Sequence, residues 1–176
     1  TFSRKKLEKI FDACGVGERS FYYPYPDYKF MTAVYSDAYL PGRGELSNNL
    51  RNFDRDRMLL FDEKSAFDGI VEEGLFSVFS NSYLAVIGKP LDLKYVRYSN
   101  DRAESFRIRT EILRDDRGNR IVRKYPLTKE AEAHVRHMME AYEKLKVRYA
   151  GSRLDVNVCH PGEEDGIPYA EFEFVS

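Results

Sequence analysis

A chain of 176 residues, 43% hydrophobic and 32% charged, has the composition of a globular protein with one good core or two small ones. No apolar run approaches the roughly 18 residues of a bilayer span, and the start "TFSRKKLEKIFDACG" is charged and amphipathic, so neither membrane insertion nor secretion is expected. The net charge of −1 hides a pattern: residues 89–124 hold 11 basic and 6 acidic side chains, while residues 151–176 hold 1 and 6. Either the basic segment meets a polyanion, or it is a solvated strand face paired with the acidic C-terminal segment.

In chain order, Ser3 is a candidate N-cap, and Leu7, Ile10, Phe11 and Cys14 follow at helical spacing until Gly15. The stretch "FYYPYPDYKFMTAVYSDAYLPG", from Phe21 to Gly42, opens with a short aromatic strand ended by Pro24 and Pro26. Half of its rings are expected in a core. "FMTAVYSD" reads as a second extended piece, and residues 40–61 as a polar loop in which "FDRDR" makes a local ion-pair network. "SAFDGIVEEGLF" reads as a short helix with Phe67, Ile70, Val71 and Leu75 on one face. "NSYLAVIGK" is nearly all apolar, as in a strand buried on both faces, and Pro90 marks a boundary.

Beyond Pro90 the texture changes. "LKYVRYSN", "SFRIRTEILRD" and "NRIVRKYPL" alternate as strands, with a hairpin signal at Asp116–Asn119. Thr128 caps a long helix whose stripe is Ala131, Val135, Met138, Tyr142, Leu145 and Tyr149, stopped by Gly151. "RLDVNVCH" and "YAEFEFV" read as two more strands, separated by an acidic loop, "PGEEDGIP". The fold class is α+β, with a β-β-β-α-β-β second half. Cys14 and Cys159, far apart and without a leader, read as reduced buried thiols in a cytoplasmic protein. The first residue is not Met and the last strand has no polar tail, so a piece of a longer chain is expected.

The aromatic stretch, with "LRNFDRDR" and "FSNSYLAVIGK", resembles the C-terminal part of bacterial class I S-adenosylmethionine-dependent methyltransferases of the multidomain type associated with cell-surface glycans. The resemblance covers residues 1–88, and implies that the amphipathic helix leads into strand six and "SYLAVIGK" returns as strand seven. It also implies that Tyr25, Tyr28 and Tyr35, on loops after the strand, contact the methyl acceptor. Such enzymes hold the cofactor at a Gly-rich turn after their first strand. "PGRGELSNN" follows no apolar strand and opens no helix, so this stretch builds no cofactor site of its own.

Residues 91–176, in their β-β-β-α-β-β order, resemble the nucleotide-binding N-lobe of kinase-like phosphotransferases of the lipopolysaccharide, aminoglycoside or choline kinase type. That resemblance puts Lys124 of "RIVRKYPL" on the nucleotide phosphates. It puts an acidic partner for Lys124 on the long helix, where Glu132 and then Glu130 flank the apolar stripe. The turn over the phosphates, "SNDRAESF", has no glycine, a departure from the family. The expected function is a catalytically incomplete piece of a bifunctional transferase. S-adenosylmethionine and ATP with Mg are implied for the parent, and its other domains and a glycan acceptor are the expected partners. The alternative is a non-enzymatic α+β module that meets a partner through its tyrosine loop and basic sheet. His134 and His137 on one helix, with Cys159–His160 on a strand end, make too weak a pattern for a metal site. No motif for nucleic-acid recognition accompanies the basic segment.

Overall fold

Ser3 opens the first helix because its hydroxyl takes up an otherwise orphan backbone N–H. In the computed structural model, which describes residues 2–48 and 63–175, Ser3 Oγ accepts from the Lys6 N–H at 3.3 Å and α1 spans Arg4–Ala13. Leu7 and Phe11 are half-buried, but Ile10 and Cys14 are exposed. Cys14 is thus a surface thiol, which corrects the expectation of two buried ones. Contacts divide the chain into two compact units, Thr1–Leu91 and Asp92–Ser176. Among the described residues the fold is mixed α+β, with four α-helices and eight strands paired antiparallel. No helix among them is long and apolar enough to cross a membrane. The expected "FDRDR" ion-pair network lies outside the described residues.

In the first unit, β1 (Arg19–Tyr25) lies between β2 (Ala33–Ser36) and β3 (Leu84–Ile87). Pro24 does not end β1; it pairs with Val34, and the Tyr25–Pro26 bond is cis. Every residue from Phe21 to Tyr25 is buried, so the rings here are core to a greater extent than the expected half. The expected helix at Ser65–Phe76 is split. Its main part is α2 (Glu63–Glu72), Gly74 takes φ 69°, and a one-turn α3 follows at Phe76–Phe79. Phe76 is the hub: its ring meets Tyr23, Tyr25 and Tyr35 at centroid distances of 6.0, 6.3 and 5.4 Å. Tyr23 also reaches polar partners. Its hydroxyl donates to Asp37 Oδ1 at 2.5 Å, while Arg4 clamps Asp37 through both terminal nitrogens, tying α1 to the strands. Strand β3 is not buried on both faces as its composition implied. Leu84 and Ile87 are exposed, because β3 ends the strand order of this unit.

In the second unit the order is β4 (Tyr95–Tyr98), β5 (Ile108–Arg114), β6 (Arg120–Pro126), β8 (Ile167–Glu173), β7 (Cys159–Glu164), with α4 (Glu132–Arg148) between β6 and β7 in sequence. Asp115 closes the β5–β6 turn by accepting from the Arg117 and Asn119 N–H groups, and Gly118 takes φ 81°. Ile108, Val135, Cys159 and Ala170 form the core, with Met138, Met139, Tyr142 and Phe172 packed on it.

The last hairpin departs from the reading. "RLDV" forms no strand, and the acidic segment is itself β7 and the turn. Asp165 and Gly166, at φ 51° and 79°, make a two-residue turn closed by the pair Glu164–Ile167. Counting back by twos, Pro161 and Pro168 fall at positions that exchange no ladder hydrogen bonds across this hairpin, which is why two prolines are tolerated.

Gly162 faces Tyr169 across that hairpin, and a Cβ there would overlap the ring. The ring cannot swing away freely, since the Arg123 guanidinium lies 4.3 Å from its centroid. Gly162→Ala should therefore cost about 1–3 kcal/mol through overpacking. Chemical denaturation reads this, and the penalty should vanish in a Tyr169→Ala background; a penalty that persists there would place its origin elsewhere.

Candidate functional site

The basic residues of the second unit fall on two faces of one sheet, because successive side chains on a strand alternate. On one face the register aligns Glu111, Arg123 and Glu171. Arg123 pairs with Glu171 at 2.7 Å and Arg109 with Glu111 at 2.8 Å, while Arg109 also lies over Tyr125. Burial pushes the Glu111 carboxyl up, against the pull of Arg109 and Arg123. These cations are matched, in part by the acidic C-terminal segment.

The other face carries Arg97, Thr110, Lys124 and Ala170 in one cross-strand row. Lys124 is half-buried, and its Nζ donates to Thr110 Oγ1 at 2.9 Å. Burial pushes its ammonium down from the ordinary lysine value, and Arg102 and Arg97 push in the same direction. Among the described residues no carboxylate lies within ion-pair distance of Lys124. The expected bond to Glu132 or Glu130 is not formed: Glu132 turns instead to Arg136, one helical turn on, at 3.8 Å. Lys124 faces the hydroxyl directly opposite it in the register.

Arg102 comes from the turn at 99–107, which is fastened at both ends. Ser99 Oγ donates to the Ile108 carbonyl at 2.9 Å and accepts from its N–H at 2.8 Å, and Thr128 Oγ1 donates to the Glu104 carbonyl at 2.7 Å. Arg107 Nε donates to the Arg102 carbonyl at 2.9 Å. Side-chain bonds thus hold a turn that lacks glycine. His134, in the first turn of α4, stands edge-on to Phe106 from this segment, with ring centroids 5.1 Å apart. Its Nε2 is buried without a hydrogen-bond partner, and burial, Arg102 and His137 push its proton off.

The result is a group of three cations, Lys124, Arg97 and Arg102, in which Lys124 holds the Thr110 hydroxyl. Lys124 alone was legible in the sequence. Thr110 could have been found by counting outward from the Asp115–Asn119 turn, which sets it opposite Lys124, whereas Arg97 depends on the separate β4–β5 register. Arg102 and His134 carried no such signal.

The three tyrosines singled out in the first unit are dispersed. Tyr25 is inside β1 and donates to the Leu46 carbonyl at 3.2 Å, and Tyr35 is inside β2 against Phe76. Both are buried, not on loops after the strand. Tyr28 is on a loop and 67% exposed, its N–H donating to Ser82 Oγ at 3.1 Å. Among the described residues no three His, Cys, Asp or Glu side chains converge on a metal position. Comparison of the chain with protein-family models, with curated proteins and with solved structures finds no match.

Proposed function

We propose that the second unit is a phosphate-binding lobe of a kinase-like phosphotransferase, in which Lys124, Arg97 and Arg102 hold nucleotide phosphates. The observation that carries this reading is Lys124: a half-buried ammonium beside two arginines, with a neutral hydroxyl as its hydrogen-bond partner. Three cations gathered without an opposing carboxylate repel one another until an anion joins them. A phosphate group supplies that charge, and lysine meets it as a point charge. The first unit is read as the end of a class I methyltransferase domain, and the whole as part of a bifunctional transferase of bacterial surface-glycan synthesis. ATP with Mg, S-adenosylmethionine, the parent's other domains and a glycan acceptor are its proposed cofactors and partners.

Titration calorimetry with ATP, inorganic triphosphate, adenosine and S-adenosylmethionine tests this. ATP and triphosphate should both bind, with affinity falling as salt rises. Adenosine should bind far more weakly, and S-adenosylmethionine should give no heat. If neither phosphate compound binds at low salt, the phosphate reading is lost. Micromolar binding of S-adenosylmethionine, about −8 kcal/mol, would refute the incomplete-methyltransferase reading.

A second reading, a non-enzymatic interaction module, is favoured by the apolar side chains on the first unit. Val78, Phe79, Leu84 and Ile87 are all more than 45% exposed. It gains if no phosphate compound binds.

A further inference from the structure

Beside the three cations stands a titratable group that phosphate binding by them leaves unused, His134 of α4. Its ring lies edge-on to Phe106, centroids 5.1 Å apart, against the turn that also carries Arg102. Ser99 and Thr128 tie that turn at both ends, so the imidazole and the Arg102 segment are held together. The His134 Nε2 is buried and, among the described residues, has no hydrogen-bond partner. Buried polar atoms normally have one.

An imidazole bonded to a carboxylate or a backbone oxygen has its protonation set by that partner. Without one, its charge is left to the groups around it. From the turn, Arg102 pushes the proton off, and from the same helix His137, three residues on, pushes the same way. Other charges on these two elements are matched or face water. Glu104 pairs with Arg107 at 4.0 Å, Glu132 with Arg136 at 3.8 Å, and Glu130 is exposed. Arg102 is therefore the cation that His134 and Lys124 both sense.

We propose that an anion bound at Arg102 protonates His134, so that the protein takes up a proton from solvent as phosphate binds. This rests on the phosphate reading of Lys124, Arg97 and Arg102, and makes His134 a fourth, conditional cation of that site. The sign follows from charge. A triphosphate brings more negative charge than Arg102 brings positive, so the push on His134 becomes a pull. The coupling acts through space, and Nε2 stays buried. By linkage, the anion binds more tightly as pH falls through the His134 range.

NMR of the His134 ring from about pH 5 to 8, where histidines titrate, reads this with and without saturating triphosphate. The His134 midpoint should rise by about half a unit or more on binding, equivalent to roughly a threefold gain in affinity across that range. His160, on the opposite face of the sheet from Lys124, should not move. Arg102→Gln removes the link: its ligand-free midpoint should lie above the parent's, and triphosphate should move it less. Arg102 is exposed, so that variant should fold. If triphosphate binds while the His134 midpoint moves no more than that of His160, the inference falls and the phosphate reading stands. It falls likewise if Arg102→Gln leaves the shift whole. If no triphosphate binds, both fall.

Discussion

Replacing Phe76 with Ala should lower the stability of the protein by about 3–5 kcal/mol, the cost of a large core ring left as a cavity. The ring is 2% exposed and contacts three tyrosines of β1 and β2. Two of those rings cannot close the gap without giving something up. The Tyr23 hydroxyl is held by Asp37, and the Tyr25 hydroxyl by the Leu46 carbonyl. Moving either ring inward would strand a buried hydroxyl, at a further cost of about 1–3 kcal/mol. Phe76→Leu keeps most of the volume and should cost less than half as much. Urea unfolding followed by circular dichroism reads both variants. A loss under about 1 kcal/mol for the alanine variant would show that the site collapses freely and that Phe76 is no hub.

Phe76 also marks where the sequence was hard to read. A run ending in "GLF" looked like the end of a helix, because Gly74 stops α2 and nothing local announces another turn. The turn exists because three tyrosines need a ring between them, and that demand comes from tertiary packing. The same cause moved Tyr25 and Tyr35 into the core. A strand with rings on both faces is extended whichever way its side chains go, so its alternation carries no inside or outside. By contrast, Ser3, Thr128 and the Asp116–Asn119 turn were legible, because capping and turn bonds are made within four residues. Thr128 Oγ1 accepts from the Ala131 N–H at 3.2 Å, although the regular helix begins only at Glu132. The acidic "PGEEDGIP" was misread because its prolines and charges outweighed its Asp-Gly dipeptide. On an edge strand, prolines and glutamates are permitted and discourage pairing with another strand.

The candidate site divides in the same way. Lys124 was singled out by the resemblance to kinase-like lobes, and the register that brings Thr110 to it follows from one hairpin turn. Its acidic partner was not. Helical phase placed Glu132 near the core border, but phase does not tell which neighbour a flexible side chain chooses. Arg136, one turn away on the same helix, is a shorter reach.

That unanswered charge gives Lys124→Met a distinctive expected signature. A methionine keeps the apolar stem and removes the ammonium, so binding and stability should respond in opposite directions. Loss of one charge-assisted contact to phosphate, about 1.5–3 kcal/mol, corresponds to roughly a 10- to 100-fold weaker affinity for ATP and for triphosphate. Without ligand the variant should be as stable as the parent or more so, since a half-buried cation beside Arg97 and Arg102 is relieved. The pH dependence follows from the direction of the shift. The folded chain holds Lys124 below its unfolded value, so its stabilising contribution is complete above the unfolded pKa and is lost as pH falls through the folded one. The stability of the parent should therefore rise relative to Lys124→Met as pH is taken up towards the lysine range. Bound phosphate should cancel that rise by favouring the ammonium. Thermal melts taken from neutral pH up towards the ordinary lysine range, with and without triphosphate, measure all of this. If Lys124→Met binds triphosphate as tightly as the parent, the cation group is not a phosphate site. If it is destabilised by more than about 1 kcal/mol at neutral pH, Lys124 is a structural cation whose bond to Thr110 outweighs the repulsion around it.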